Sequence, residues 1–258
     1  MCNASSDIKS AIYDNMVRFI GDYKRQNSVK TEWEHPIIGF ADARGTYFHS
    51  LKKIISPTHY MPQDFLPDCT VVLSYFLPFD KDIGYRNEKG QDPDPLWITS
   101  YIETNRLFLA LNDFLINLCK KWGYCAISPV SAGMIDKEHI YSNWSQRHIA
   151  YAAGLGTFGL NNMLITDRGT CGRFSSLVTN LPVQPSQPLK EERCLYKKSE
   201  TCGLCVKQCP IHAFMPDNVF DRESCEAYLT QLEQRFDDGA CGKCVVGLPC
   251  TFVNPEEV

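Results

Sequence analysis

Hydrophobic positions recur along the chain in two distinct rhythms. Over residues 7–26, Ile8, Ile12, Met16, Phe19 and Ile20 fall mostly three or four apart, the spacing that gathers apolar side chains into one stripe of a helix. The run TVVLSYFLPF (70–79) is instead continuous, short and rich in β-branched and aromatic residues. With Pro67-Asp68 before it and Pro78 near its end, it predicts a buried strand. The helical rhythm returns from Trp97 to Lys121 through Leu107, Leu111, Phe114, Leu115 and Leu118, and stops near Gly123. Between these elements, GYRNEKGQDPDPLW (84–97) is polar and rich in turn residues, so a covering loop is predicted there. YCAISPV (124–130) predicts a further strand. Asn143 followed by Gln146 marks a helix start, and WSQRHIAYAAG (144–154) runs to a C-cap at Gly154. A glycine-rich turn then leads into predicted strands over NMLIT (162–166) and FSSLVTNLPV (174–183). The composition changes abruptly to proline and charge in QPSQPLKEE (184–192), which predicts a boundary between residues 1–190 and 191–258. Mixed strands and helices make the first part an α/β or α+β core.

Composition changes the picture in one respect. With 258 residues, 44% hydrophobic and 22% charged, the chain can bury a sizeable core. A net charge of −4 supplies no basic field, so neither DNA nor RNA is an expected partner. The N-terminal MCNASSDIKS lacks a signal-peptide profile, and no apolar run approaches the roughly 18–20 residues of a membrane helix. A cytoplasmic protein without a membrane partner is expected. Cysteine is the outlier. Of 13, eight fall between positions 194 and 250, while Cys2, Cys69, Cys119, Cys125 and Cys171 are scattered. In a cytoplasmic chain, such a concentration points to metal binding and not to disulfides.

The bacterial ferredoxin signature is C-x2-C-x2-C-x3-C-P. Cys202, Cys205, Cys209 and Pro210 match its last three cysteines and proline, but Ser199 stands at the first position. Cys194, five residues earlier, can loop in to replace it. Cys225, Cys241, Cys244 and Cys250 complete a set of eight soft thiolate donors, enough for two [4Fe–4S] clusters. Zinc is the alternative, since Cys202/Cys205 with Cys241/Cys244 make paired C-x2-C units. That site leaves four cysteines and the C-x3-C-P ending unused. A disulfide scaffold would need a secreted chain, and nothing marks one.

Gly154-Leu155-Gly156-Thr157-Phe158-Gly159 matches G-x-G-x-x-G, but its context is reversed. A dinucleotide site has a strand before the glycines and a helix after them, whereas here the helix precedes and the strand follows. Two readings stay open: a tight connection between helix and strand, or a close approach of backbone to a flat, bulky cofactor.

The order R-x-I-A-x-x-A-G-L-G-x-x-G-x-N (Arg147 to Asn161), then L-I-T, G-T-x-x-x-F (169–174) and L-V-T-N-L-P-V resembles the epoxyqueuosine reductase family. That family is related to the cobalamin-dependent reductive dehalogenases. The resemblance continues through C-G-L-C-V-K-Q-C-P and C-E-A-Y-L-T-Q (225–231) to the last cysteines, covering about residues 140–250, with a thinner match at LPDCTVVLSYFLPF. It implies an α/β (α+β) nitroreductase-like, corrinoid-binding core over 1–190 and a C-terminal ferredoxin-like domain with two [4Fe–4S] clusters over 191–258. Cys194, Cys202, Cys205 and Cys250 would hold one cluster, and Cys209, Cys225, Cys241 and Cys244 the other. A base-off cobalamin would lie against Arg147, Gly154, Leu155, Gly156, Thr157, Phe158, Gly159 and Asn161, and against Gly169, Thr170 and Cys171. In keeping with this, no D-x-H-x-x-G motif offers a lower-face histidine.

The implied activity is that of an iron–sulfur oxidoreductase. It would take electrons from a donor such as ferredoxin or flavodoxin and pass them through the clusters to cobalt, reducing an unidentified small-molecule or partner-protein substrate. The family's proton-donating Asp lies seven residues before the arginine, and that position is Ile140 here. Tyr141, Glu138 and His139 become the candidate catalytic groups, with Asp136 near them; each alone reads first as an exposed polar residue. The chain also stops at Val258, soon after the clusters, and is acidic overall, so tRNA is not expected as a partner. The rival from another class is an electron-transfer protein that reduces a partner, such as a separate corrinoid protein, without substrate chemistry of its own. Cys171 reads as a small buried hydrophobe or a reactive thiol, Trp97, Tyr101 and Phe108 as core, and His148 as solvent-facing or helix-capping.

Overall fold

The computed structural model describes residues 2–129, 135–136, 139–214 and 219–256. The first part contains α1 (Cys2–Asn27), β1 (Ile37–Asp42), α2 (Thr46–Ile54), α3 (Pro62–Phe65), β2 (Val71–Pro78), α4 (Lys81–Asn87), α5 (Pro95–Lys121) and β3 (Ala126–Ile127). It continues with β4 (Ile135–Asp136), β5 (Tyr141–Ser142), α6 (Gln146–Ala152), β6 (Gly156–Phe158), β7 (Leu164–Thr166) and β8 (Gly172–Thr179). Three short helices follow, α7 (Leu195–Ser199), α8 (Leu204–Lys207) and α9 (Arg222–Arg235), then a 3-10 turn at Lys243–Val245.

A four-stranded antiparallel sheet in the order β1-β2-β8-β3 forms the centre. Every residue of β2 is buried, because helices cover both faces. On one face Leu73, Tyr75, Phe40 and Leu177 pack with Ile12 and Met16 of α1 and with Leu107 and Leu111 of α5. On the other, Val72, Ala41 and Val178 meet Phe48 of α2 and Ile149 and Ala150 of α6. The antiparallel pairing places this mixed core in the α+β class. Gly39 lets α6 come close: a Cβ there would lie 2.3 Å from the Ala153 carbonyl oxygen.

The predicted first helix, buried strand, long helix and last strand all form. The long helix starts at Pro95, two residues early, because the Asp94 carboxylate accepts the Leu96 N–H at 2.8 Å and Pro95 suits the first turn. The covering loop needs correction. Its first residues finish α4, which starts where Asp80 accepts the N–H of Asp82 at 2.8 Å, so the turn is confined to 88–94. The helix predicted from Asn143 starts instead after Ser145, and the Asn143 side-chain oxygen accepts from Thr58 Oγ1 at 2.7 Å. The strand predicted over NMLIT forms as β7, whereas β1, α2 and β6 had no counterpart among the predicted elements.

Two features position the site. β3 pairs only with residues 178–179, so the outer edge of β8 from Gly172 onward has no strand partner among the described residues. Gly172, Arg173 and Phe174 on that edge are half-exposed. Second, residues on either side of 190 share hydrophobic clusters: Phe79, Ile83 and Trp97 with Ala240, Val245 and Val246, and Leu160 and Ile165 with Cys194, Cys205 and Leu248. The proline-rich stretch between them is tied down, with Ser186 N–H donating to the Phe40 carbonyl at 2.7 Å. Among the described residues no helix is long and apolar enough to cross a membrane.

Candidate functional site

Short helices and left-handed turns aim the cysteines. Cys194 is the N-cap of α7, which Glu200 ends at φ +57. Gly203, at φ +126, turns the chain into α8 with Cys205 in its first turn; a side chain at this φ would be strained. Cys194, Cys202, Cys205 and Cys250 then line one cavity together with Leu160, Ile165, Tyr196 and Leu248. Burial first, and then the thiols of Cys194 and Cys202, push Cys205 up to about 11. Burial and the same neighbours, with Cys205, push Cys250 up to about 12.

The other four cysteines interact likewise. Cys225 is pushed up to about 11 by burial, then by Cys241 and Cys209. Cys244 is raised by burial, then by Cys241, Cys225 and Cys209, with Cys205 last. Between Cys241 and Cys244, the buried Lys243 ammonium donates to the carbonyls of Asn87 and Lys89 at 2.7 and 2.9 Å, tying this loop to the end of α4. Ser199 is exposed and donates back to the Leu195 carbonyl at 3.1 Å. Among the described residues, no three His, Cys, Asp or Glu side chains converge as they would on a single metal ion.

The glycine motif closes on protein. A Cβ on Gly154 (φ +74) would lie 2.5 Å from the Gln187 carbonyl oxygen, and one on Gly156 would lie 2.2 Å from that of Ile165. The close approach these two glycines permit is therefore to backbone, as a tight connection from α6 into the hairpin requires. Gly159 adjoins the Asn161 side-chain oxygen, and the Asn161 amide donates to the Cys244 carbonyl. Leu155 is buried in the core, Thr157 Oγ1 donates to Glu192 at 3.1 Å, and Phe158 packs against His148 with ring centroids 4.6 Å apart. Gly169 backs onto the Thr251 carbonyl, while Thr170 and Cys171 donate their N–H groups to it at 3.0 and 2.9 Å. Cys171, pushed up to about 12 by burial, packs with Ile83 and Trp97 as a small hydrophobe.

Arg147 is placed differently. Its guanidinium donates to the Asn162 carbonyl at 2.7 Å and meets Met163 Sδ at 3.2 Å, within electrostatic reach of Cys244 and Cys225. Tyr141 is half-buried in β5 and stacks on the exposed His139, with ring centroids 5.6 Å apart. Glu138 lies outside the described residues. Ile140 adopts φ +53, and its carbonyl accepts from Arg222 Nη1 at 2.9 Å. His148 is half-buried with Nδ1 2.8 Å from Ser145 Oγ, at the start of α6. Sequence reasoning missed Arg173. It sits over the Tyr101 ring at 3.7 Å and donates to Asn105 Oδ1 at 3.0 Å. The strand predicted to begin at Phe174 starts at Gly172, so the arginine fell just outside it.

No family model matches the chain. A stretch of 100 residues is 33% identical to an epoxyqueuosine reductase of Cyclobacterium marinum, covering 38% of this chain and 31% of that protein. The whole fold aligns with the crystal structure of an epoxyqueuosine reductase at a TM-score of 0.56 and 20% identity, over 93% of this chain and 66% of that one. The chain has the fold of the epoxyqueuosine reductases. It aligns also with a catabolic reductive dehalogenase in complex with 3-bromo-4-hydroxybenzoic acid, at a TM-score of 0.55 and 18% identity over 86% of this chain and 30% of that one. Another reductive dehalogenase, described as B12-dependent, aligns at a TM-score of 0.51 and 19% identity over 81% and 29%. The resemblance read from the glycine and cysteine motifs is thus matched in sequence and in fold, while the curated relative is aligned over less than a third of its length.

Proposed function

We propose that the chain is an iron–sulfur oxidoreductase that passes electrons through two [4Fe–4S] clusters to a base-off cobalamin and so reduces a substrate. The observation that carries this is the sorting of eight thiols into two groups of four. Cys205 and Cys250 feel Cys194 and Cys202, while Cys225 and Cys244 feel Cys209 and Cys241. Closely grouped thiols, buried or half-buried, suit a cationic iron–sulfur core, which would turn each into a stable thiolate ligand. The corrinoid assignment draws on the B12-dependent relative and on the half-exposed edge of β8, which has no strand partner among the described residues. Backbone N–H and C=O groups along that edge suit a cofactor rich in amides. Bound there, low-valent cobalt would supply a strongly reducing, nucleophilic centre. Arg147, facing the second group of thiols, would hold positive charge between cluster and cofactor.

Iron, sulfide and cobalt analysis of protein purified without oxygen tests this reading. About eight irons and eight sulfides per chain are expected, together with a shifted corrin spectrum after reconstitution with cobalamin. Zinc without iron or sulfide would overturn the cluster assignment, and an unchanged corrin spectrum the cobalamin assignment. A second reading, an electron-transfer protein that reduces a partner, is favoured by Ile140, which offers no proton where the resemblance leads one to expect an acid. Turnover of a small molecule by the isolated protein would exclude it. Ferredoxin or flavodoxin as donor and a cytoplasmic location belong to the same proposal. tRNA is not the expected substrate, and restored queuosine in a deficient strain would contradict that.

A further inference from the structure

The glycine motif that closes on protein also holds the chain leading into the cysteines. Its residues meet that chain in step. Gly154 adjoins the Gln187 carbonyl, Thr157 meets Glu192 and Arg193, and the Phe158 carbonyl accepts from Lys197 Nζ at 2.6 Å. Thr157 is the centre of this contact. Its buried hydroxyl accepts the Arg193 N–H at 3.0 Å and donates to Glu192 Oε1 at 3.1 Å. The same Glu192 oxygen accepts the Cys194 N–H at 2.9 Å. Arg193, also buried, adds a second hold: its guanidinium donates to the Ile165 carbonyl at 3.2 Å and pairs with Asp167 just past β7.

Cys194 needs a hold of this kind. Cys202 and Cys205 are aimed by the one turn between them, but Cys194 lies eight residues before Cys202, on the far side of α7 and of the left-handed Glu200. Its backbone starts α7, with the carbonyl accepting the Lys198 N–H at 2.9 Å, while its thiol makes no capping bond. Cys194 instead lines the cavity it shares with Cys202, Cys205 and Cys250. Gly159, Leu160 and Asn161, at the end of the glycine motif, line that cavity too. One short segment thus fixes the backbone of a cysteine and walls the space that four cysteines share.

We infer that the G-x-G-x-x-G segment is the seat of the first cysteine group, with Thr157, acting through Glu192, the positioning residue for Cys194. Metal ligands are aimed by the hydrogen bonds that hold them, and a ligand with no tight turn beside it depends on them most. That Cys194 then binds iron rests on the iron–sulfur reading; that Thr157 fixes it at the cavity does not.

The test is iron and sulfide analysis, with electron paramagnetic resonance after reduction, of Thr157→Val, Thr157→Ser, Glu192→Ala and Glu192→Gln purified without oxygen. Thr157→Val keeps the shape and removes the hydroxyl. It is expected to fall from about eight irons to about four, with the signal of one reduced cluster left and the far-UV circular dichroism unchanged. Thr157→Ser should restore the content. Glu192→Gln, which keeps an accepting oxygen, should hold both clusters, and Glu192→Ala should lose the first. Wild-type iron content in Thr157→Val or in Glu192→Ala would overturn the inference and leave the iron–sulfur reading standing. Loss of both clusters together would overturn it as well, by moving the effect from Cys194 to the whole cysteine module. Should Thr157→Val fail to fold, Glu192→Ala, at a half-buried position, decides alone. Wild-type protein without iron or sulfide would sink the iron–sulfur reading, and the clamp is then read from alkylation of Cys194 by iodoacetamide, located by mass spectrometry. Alkylation should be about tenfold faster in Thr157→Val, or in Glu192→Ala where the first does not fold; an equal rate overturns the inference.

Discussion

His59 and His148 show how single side chains set the conditions under which the start of α6 holds. His59 Nε2 accepts the Ser145 N–H at 3.2 Å, so its proton sits on Nδ1, which donates to the Tyr60 carbonyl at 2.8 Å. Burial above all lowers its pKa from the usual 6.5. Burial, followed by Arg147 and His59, lowers that of His148 to about 4. A base with a depressed native pKa binds its proton more readily in the unfolded chain. Its contribution is therefore intact above pH 6.5 and lost as pH falls toward about 4. Thermal melts across that range should show falling stability, and His148→Phe should flatten the slope. At the cysteines, Cys205→Ser is expected to halve the iron content while leaving one paramagnetic reduced cluster, seen by electron paramagnetic resonance. Two intact clusters in that variant would remove Cys205 from the ligand set. The cysteine signature was readable because ligand chemistry fixes spacing. Arg173 was not, because a lone arginine at a strand end has no pattern; only folding places Tyr101 and Asn105 beside it.

Elements with one strong period were readable in the same sense. The stripe of α1 and the continuous run of β2 each answer to a single environment, one face of a helix or both faces of a covered sheet. Where polar residues carry an element, the signal fades. α4 owes its start to the Asp80 cap and buries only Ile83, Gly84 and Asn87, so its sequence reads as a loop. β6 was hidden by glycines that serve backbone contacts made elsewhere in the fold. Replacing Leu73, fully buried at the centre of β2, by Ala should cost about 2–5 kcal/mol in chemical denaturation. Gly203→Ala tests the turn into α8. At φ +126 the added Cβ is strained, and reduced iron content with little change in the melting of the core would show that the strain falls on the cysteines.

At the scale of the molecule, residues on the two sides of the composition change at 184–192 pack against one another. Phe79, Trp97 and Ile165 complete their packing with residues beyond 190. A fragment of residues 1–190 is therefore expected to expose this apolar surface, bind a hydrophobic dye and melt with poor cooperativity. A sharp transition at the temperature of the full chain would contradict this. The same packing sets Leu160 and Ile165 against Cys194 and Cys205 and brings Arg147 within electrostatic reach of Cys244 and Cys225, which is why neither half alone displays the candidate site.

The grouping of the cysteines has a temporal side. Cys209, Cys225, Cys241 and Cys244 lie wholly between Cys205 and Cys250 in the chain, so one group is nested inside the span of the other. During synthesis, which runs from the N-terminus, the inner set is complete before the outer set, which waits for Cys250. If each group holds a cluster as proposed, the outer one would close the longer loop, at the greater entropic cost, around a partner already in place. On the proposed cluster assignment Cys250 would act as the last latch, and a maturing chain could be caught with its inner set filled and its outer set still open.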